Sequence, residues 1–459
     1  MGTKTARSLR EGRCHPKRLT ASIVGRQVRP VPQSANYVST PSYYRASALP
    51  RAVTAPLSGE VSTDVCVIGG GFTGISTALE LRRRNYDVVL LDAGEIGAGA
   101  SGLNGGQLGG GQRRDVDFLE AQVGHNMAKV LWQLGNDARD LVKKRIDELA
   151  IPCDLTPGVA YAVHRKRDLP AVHSLADKLR RHYGSTKLET LDARGMTELL
   201  GTDVYYGGWV DRDSVHLHPL NLLLGEAKAA ETAGVRVFEH TRATSYRDGA
   251  TVDVHTQHGR VNARYLVLAM NGYLGGFEPR IAGKIMPVSN YIVATAPLDH
   301  SERASILPSG VAAADSRFVI HYFRRSADGR LLFGGGESYT SRFPRDIAAF
   351  VRPHLAAVYP ALAAKPIDYA WGGRLAITIN RLPHFGRLSP RVYFAQGYSG
   401  HGVGMAHLAG QVIGEAIAGI AERFDVFAGL PIRTFPGGRW LRWPAVALGM
   451  TYYALRDRF

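Results

Sequence analysis

At 459 residues the chain is long enough to bury a large core and to make two or three domains. Apolar residues at 45% and charged ones at 21% place it among ordinary globular chains. The net charge of +16 does not mark a nucleic-acid binder, because +7 of it lies in residues 1–30 and the rest shows no basic stripe interleaved with aromatics.

Cys14, Cys66 and Cys153 are widely spaced and form no C-x-x-C, which argues against a disulfide framework or a zinc site and suits a reducing compartment. No run of eighteen apolar residues predicts a transmembrane helix, and the stretch 444–455 is too short to span. The expectation is a cytoplasmic protein, or an organellar one if residues 1–35 are a transit peptide. Those 35 residues are Arg-rich, nearly acid-free and without core periodicity, so they are expected to be disordered. The Pro- and Ala-rich stretch 43–57 is expected to run extended over the first domain.

Val65 to Ile68 form an apolar run ending in Gly69-Gly70-Gly71, as a buried parallel strand entering a tight turn would. Ile75, Ala78, Leu79 and Leu81 then recur at helical spacing, and a second apolar run, 87–91, ends at Asp92. Gly69, Gly71 and Gly74 fit G-x-G-x-x-G: the first for the turn, the second for close approach to a pyrophosphate, the third for helix–strand packing. Asp92, 18 residues beyond Gly74, is placed to accept hydrogen bonds from a ribose. This βαβ unit leaves NAD and FAD both open. The next segment argues for FAD: residues 97–111 hold eight glycines with Ser101, Asn104 and Gln107 among them, a backbone able to lie along a ligand.

Two amphipathic helices are predicted over 116–149, broken near Gly135, then a strand at 158–164 and a helix at 168–183. His216 and His218 share one strand face, but no third metal ligand accompanies them, and a structural or helix-entry use is expected; no metal site is predicted. A helix at 219–234 leads into a strand at 235–238, and YLVLAM at 265–270 reads as a central parallel strand ending at Asn271-Gly272. Strands of a second, antiparallel sheet are predicted at 287–297 and 318–334, with a hairpin turn at 326–329. A helix at 347–358 is expected to be interrupted by Pro353. The segments 371–379 and 392–395 are expected to return to the first domain, followed by a closing helix at 402–420. Gly397-Tyr398-Ser399-Gly400-His401-Gly402 forms a second glycine cluster, whose helix start can donate backbone N–H groups to an anion.

The stretches VCVIGGGFTG, GASGLNGGQ, HLHPLNLLLGEA, WGGRLAITINRLPHFGRL and AQGYSGHGVGMAHLAG together resemble the FAD-dependent amine and amino-acid oxidoreductases, a family that includes D-amino-acid oxidase, glycine oxidase and sarcosine oxidase. The resemblance runs from about residue 36 to the C-terminus. It implies an α/β protein in which an FAD-binding Rossmann-like parallel sheet (36–112, 215–275, 366–425) is interleaved with a second α+β substrate domain built on a mainly antiparallel sheet (113–214, 276–365), before a tail at 426–459. It implies FAD contacts at Gly69, Gly71, Phe72, Thr73, Gly74, Asp92, Ala93, Ser101, Asn104, Gly105, Gly106, Gln107, Ala243, Ala269, Gly373, Gly400, His401 and Gly402.

The implied reaction is oxidation of a C–H next to nitrogen in an amine or amino acid, of the gamma-glutamylputrescine type. The imine formed is hydrolysed to an aldehyde, and oxygen is the electron acceptor. The protein would mainly orient the donor carbon, so few catalytic residues are expected. Arg374 occupies the position resembling the carboxylate-binding arginine of related amino-acid oxidases; His401 is a candidate proton relay, and Tyr322 and Tyr273 are candidate aromatic walls. Leu103 stands where such chains often carry arginine. No histidine lies between Gly97 and Gln112 and no cysteine follows Cys153, so non-covalent FAD is expected. Two other readings stand beside this one: a D-amino-acid or sarcosine-type dehydrogenase that passes electrons to a carrier, and a flavin-binding protein without turnover.

Overall fold

The structure, a computed structural model, describes residues 42–338 and 343–438; the stretches 1–35 and 444–455 lie outside them, as does Cys14. Five strands run parallel in the order Val392–Gln396, Gly259–Leu268, Gly59–Ile68, Val88–Leu91, Arg236–Phe238. The strand Gly259–Leu268 is central, and Leu266, Val267 and Leu268 are buried on both faces, as an all-apolar run requires. His384–Ser389 closes one edge antiparallel, and the hairpin of Ala243–Asp248 and Val252–Thr256 is attached to the start of the central strand.

The second sheet runs Ile367–Ile377, Met286–Thr295, Leu331–Ser338, Tyr322–Arg325, Ala312–Asp315, Thr156–Ala162, Gly207–His216, Gln107–Leu108, with Leu188–Asp192 paired to Gly207–His216. It is antiparallel except where Ala312–Asp315 meets Thr156–Ala162. Its strands come from stretches of chain lying between those of the first sheet, so the two sheets are interleaved along the sequence.

Several local expectations are corrected. The segment around Trp371 does not return to the parallel sheet: Ile367–Ile377 pairs antiparallel with Met286–Thr295, opposing Arg374 to Ser289. Apolar alternation identifies a strand but not its partner. The two helices Val116–Val123 and His125–Glu148 break at Gly124, whose φ is +79°, and not at Gly135. Gly135 lies inside the longer helix because a Cβ there would stand 1.9 Å from Gly111 O. The helix Ile347–Val358 runs through Pro353 unbroken, held to the sheet by buried Ile347, Val351, Leu355 and Val358 at 3–4 spacing. The stretch after Ser42 begins with a helical turn, Tyr43–Ala46, before it extends. Tyr44 is fully buried there, its ring 5.0 Å from His218 and 5.2 Å from Trp371.

The closing helix Gly402–Ile417 is buried along its length and lies on the helix Phe72–Arg83. Gly410 permits this: a Cβ there would stand 2.6 Å from Ser76 Cβ and from Thr73 O. Beneath the pair sits a buried polar network that joins four helices. Ser76 Oγ donates to His407 O at 2.6 Å, Arg145 Nη1 donates to Ser76 Oγ at 2.8 Å, and Glu226 lies 2.8 Å from His407 Nε2 and 3.4 Å from Arg145 Nη1. Burial, wholly shielding Glu226 from water, works against its charged form, yet His407 and Arg145 hold its carboxyl below the ordinary range. His218 caps the helix Pro219–Thr232 by accepting from Asn221 N at 3.1 Å, and His216 Nε2 lies 2.9 Å from Gly310 O, both structural uses. Among the described residues no single helix is long and apolar enough to cross a membrane.

Candidate cofactor and substrate site

The turn after the first strand is shaped by backbone contact. Gly69 has φ +111°, donates its N–H to Leu91 O at 2.8 Å, and would place a Cβ 2.7 Å from Ala269 O. A Cβ on Gly74 would stand 1.8 Å from Gly69 O, which is the helix–strand contact the motif demands. The helix Phe72–Arg83 begins at Gly71 without a side-chain cap on its N-terminus. Ser101 Oγ accepts from Phe72 N at 3.0 Å and lies 2.7 Å from where a Gly71 Cβ would be, so the first glycine segment touches this helix start directly. Thr73 Oγ1 and Tyr398 Oη lie 2.5 Å apart, which brings the second cluster to the same place.

Asp92 accepts from Gly70 N at 2.7 Å and from Gly94 N at 2.8 Å. Burial pushes its carboxyl up to about 6 while those two amides pull the other way. Ala93 follows it, and Thr241 N donates to Asp92 O at 2.7 Å, which brings the chain entering Ala243 to this end of the sheet. Beside Asp92 stands Glu239, wholly buried, which sequence reading missed. It accepts from Ile96 N at 2.6 Å, Thr54 N at 2.7 Å and Arg51 Nη1 at 2.9 Å, and so straps the stretch after Ser42 to the loop beyond Asp92.

The first glycine segment forms the seam between the sheets. Asn104 Nδ2 donates to Ser101 O at 2.8 Å and its Oδ1 accepts from Gly106 N at 2.8 Å, which folds the segment on itself. Gly105 would place a Cβ 2.7 Å from the Tyr322 ring, and Gly106 would place one 2.1 Å from Leu217 O. Gln107 pairs with His216 in the second sheet and its Nε2 donates to Ala313 O at 2.8 Å.

In the second cluster Gly397, Ser399 and Gly400 have φ of +76°, +55° and +90°. Asn271, at the end of the central strand with φ +43°, accepts from Gly397 N at 2.9 Å. The sequence marked that strand end but not its amide. His401 precedes the helix Gly402–Ile417, its ring lies against Gly109, and it hydrogen-bonds the Gly111 backbone. Burial, and after it the nearby Arg113 charge, hold the imidazole down at about 4. A ring so placed is neutral at physiological pH and a poor proton acceptor; it ties one glycine segment to the other.

The opposing wall comes from the second sheet and from Tyr273, in the turn that follows the central strand of the first. Arg374 N donates to Tyr273 Oη at 3.4 Å, and the Tyr273 ring lies 3.3 Å from where a Gly99 Cβ would stand. Gly373 faces the Leu103 side chain, 3.4 Å from its Cβ position, and Trp371 Nε1 donates to Leu103 O at 3.1 Å. Tyr322 lies between Gly105 and Gly334, donates to Asn290 Oδ1, and is kept protonated by burial. Thus the two glycine segments and the start of the helix Phe72–Arg83 converge, while Tyr273 and Tyr322 line the first glycine segment and Arg374 joins Tyr273 through its backbone amide. Among the described residues no three His, Cys, Asp or Glu side chains gather as a metal site.

A parallel sheet with a glycine-lined helix start at its C-terminal edge, facing a second sheet across two glycine turns, is an architecture shared with the solved structure of a glycine oxidase. The chain belongs to the FAD dependent oxidoreductase (DAO) family, whose profile matches residues 64–416. It is 41% identical over 420 residues to gamma-glutamylputrescine oxidoreductase of Escherichia coli (strain K12), covering 91% of this chain and 98% of that one. It is 36% identical over 423 residues to the probable oxidoreductase OrdL of Haemophilus influenzae (strain ATCC 51907 / DSM 11121 / KW20 / Rd), covering 91% and 97%. Among solved structures, glycine oxidase from Geobacillus kaustophilus superposes with a TM-score of 0.66 at 19% identity, over 78% of this chain and 95% of that one. The protein is therefore an FAD-dependent oxidoreductase.

Proposed function

We propose that the protein oxidises the C–N bond of gamma-glutamylputrescine or a closely similar amine. The carrying observation is the 41% identity over nearly the whole of both chains to an oxidoreductase of that name. The amine enters unprotonated, loses hydride from the carbon next to nitrogen and a proton from nitrogen, and leaves as an imine. Water then releases aldehyde and ammonia. FAD supplies, when bound, the two-electron acceptor that oxygen regenerates with formation of hydrogen peroxide.

The chain's own part is placement. Gly69, Gly71, Phe72, Thr73 and Gly74 hold the diphosphate at the helix start, Asp92 with Ala93, Ala243 and Ala269 the nucleoside, and Ser101 to Gln107 the stretch between. Gly373 and Gly400 to Gly402 would border the ring, and the second helix start would offer fixed donors to negative charge there. Arg374 would contact the substrate and, in those amines that carry a carboxylate beside the reacting carbon, grip that carboxylate. Tyr322 and Tyr273 are walls that exclude water. The cofactor-binding part is made by 36–112, 215–275 and 366–425 less the strand Ile367–Ile377, which joins the substrate part made by 113–214 and 276–365.

Anaerobic addition of gamma-glutamylputrescine, sarcosine, glycine and D-amino acids to the purified holoprotein tests the reading. Bleaching by the first within a turnover supports it; no bleaching by any amine removes it. Air should then restore the yellow colour with peroxide, whereas a need for a quinone or other carrier would make the protein a dehydrogenase. The FAD is held without a covalent bond, so heat or acid precipitation should leave the flavin in the supernatant, and flavin retained in the pellet would contradict this.

A further inference from the structure

Two arginines, Arg113 and Arg381, are tied to the loop at 397–402. Arg113 leaves the first glycine segment and donates from Nε to Ser399 O at 3.1 Å; the same Nε lies 4.0 Å from where a Gly400 Cβ would stand. Arg381 arrives from the turn that follows the strand Ile367–Ile377. That turn is pinned to the same loop, since Thr378 N donates to Ser399 Oγ at 3.2 Å and Arg381 N donates to Thr378 O at 3.2 Å. Arg381 has φ +61°, and its guanidinium lies 5.2 Å from the centre of the Phe318 ring, so both its backbone and its head are fixed.

Among the described residues neither guanidinium forms an ion pair; Arg113 holds a carbonyl and Arg381 a ring. Burial, and after it the Arg381 charge, push Arg113 down to about 10. The other titratable groups within electrostatic reach of Arg113 are Tyr161, Glu337, Arg114 and His401, and His401 is neutral. Like charges within electrostatic reach of each other in partly buried surroundings are unfavourable until an anion joins them, and two guanidinium forks match a carboxylate.

We propose that Arg113 and Arg381 form the receptor for the carboxylate of an extended substrate, the amino-acid head of a gamma-glutamylated diamine, while its far amine meets the flavin. This rests on the amine reading above and sharpens it. A gamma-glutamyl diamine carries its carboxylate many bonds from the carbon that is oxidised, so an arginine serving carboxylates next to that carbon does not reach it. Arg374 and the Arg113–Arg381 pair therefore serve different substrate lengths.

The test is calorimetric binding of gamma-glutamyl-n-butylamide to the holoprotein, because this ligand keeps the head and has no terminal amine to oxidise. Arg381→Gln, on a half-buried turn, should weaken its binding about tenfold or more, and Arg113→Gln should do the same. The analogue without the carboxylate, N-butyl-4-aminobutanamide, should bind the unaltered protein correspondingly weakly and be indifferent to Arg381→Gln. Equal affinity of Arg381→Gln and the unaltered protein for the carboxylate ligand would overturn the receptor, as would failure of the unaltered protein to bind it. Carboxylate-dependent binding lost in Arg381→Gln, without bleaching by any amine, would keep the receptor and discard the amine oxidation.

Discussion

The turn at Gly69–Gly74 is made by backbone, and the wall that faces the first glycine segment is made by side chains. In the first, added Cβ atoms would meet carbonyl oxygens at 1.8 Å and 2.7 Å, so almost nothing can change. In the second, the Tyr273 and Tyr322 rings come from separate elements to lie against Gly99 and Gly105, and Arg374 meets the Tyr273 hydroxyl through its backbone amide. The contrast separates what a whole family shares from what one member selects. On the proposed reading, a coenzyme common to many oxidoreductases would be held by a surface with no side chains to vary, and the choice of amine would be left to the side chains opposite.

The largest effect should come from filling the backbone turn. Gly74→Val forces a side chain into Gly69 O, and overpacking of about 3 kcal/mol or more is expected, with protein recovered colourless. A normal flavin-to-protein ratio in that variant would show the turn to be adaptable after all. Next is the network below it: Glu226→Gln leaves Arg145 and His407 without their carboxylate, at a cost of about 3–5 kcal/mol by denaturant unfolding. The folded carboxyl of Glu226 is held below its unfolded value, so its contribution is present in full above pH about 4.3 and is lost as the pH falls below that. The gap between the two proteins should close on acidification, and a gap that widened would reverse the sign of this coupling.

On the side-chain wall the effects should be smaller and substrate-specific. Arg374→Lys should raise KM by about tenfold for amines whose carboxylate adjoins the reacting carbon, with little change in kcat, because a point charge replaces a fork. An unchanged KM would remove Arg374 from the substrate contacts. Tyr322→Phe loses one hydrogen bond to Asn290 and should cost about 1 kcal/mol in stability, with flavin content intact. Loss of flavin in that variant would mean that Tyr322 holds the cofactor segment and is more than a wall.

The same contrast explains what was legible in the chain. The backbone-made turn has a local signature: Gly69, Gly71, Gly74 and Asp92 lie within 24 residues, and each serves a steric or hydrogen-bonding need readable at that spacing. The central strand was equally plain, because only burial on both faces explains YLVLAM. Ile367–Ile377 was placed in the wrong sheet because its alternation fits any half-buried strand, and its register with Met286–Thr295 is set by contacts some eighty residues away. Gly135 looked like a break because glycine weakens helices, but there it answers to Gly111 of a distant loop. Glu239 and Arg113 carried no local mark, and Asn271 was marked only as the end of a strand. Their use depends on partners, Thr54, Ser399 and Gly397, more than a hundred residues from each in the chain.

The strand Val392–Gln396 and the helix Gly402–Ile417 complete the parallel sheet and roof the helix Phe72–Arg83, although that helix was made more than three hundred residues earlier. On a ribosome these two packed elements are therefore separated by most of the time of synthesis. Until the last of them emerges, the apolar side of Phe72–Arg83 lacks its permanent cover, and the nascent domain must be shielded by other means or wait as an unfinished intermediate.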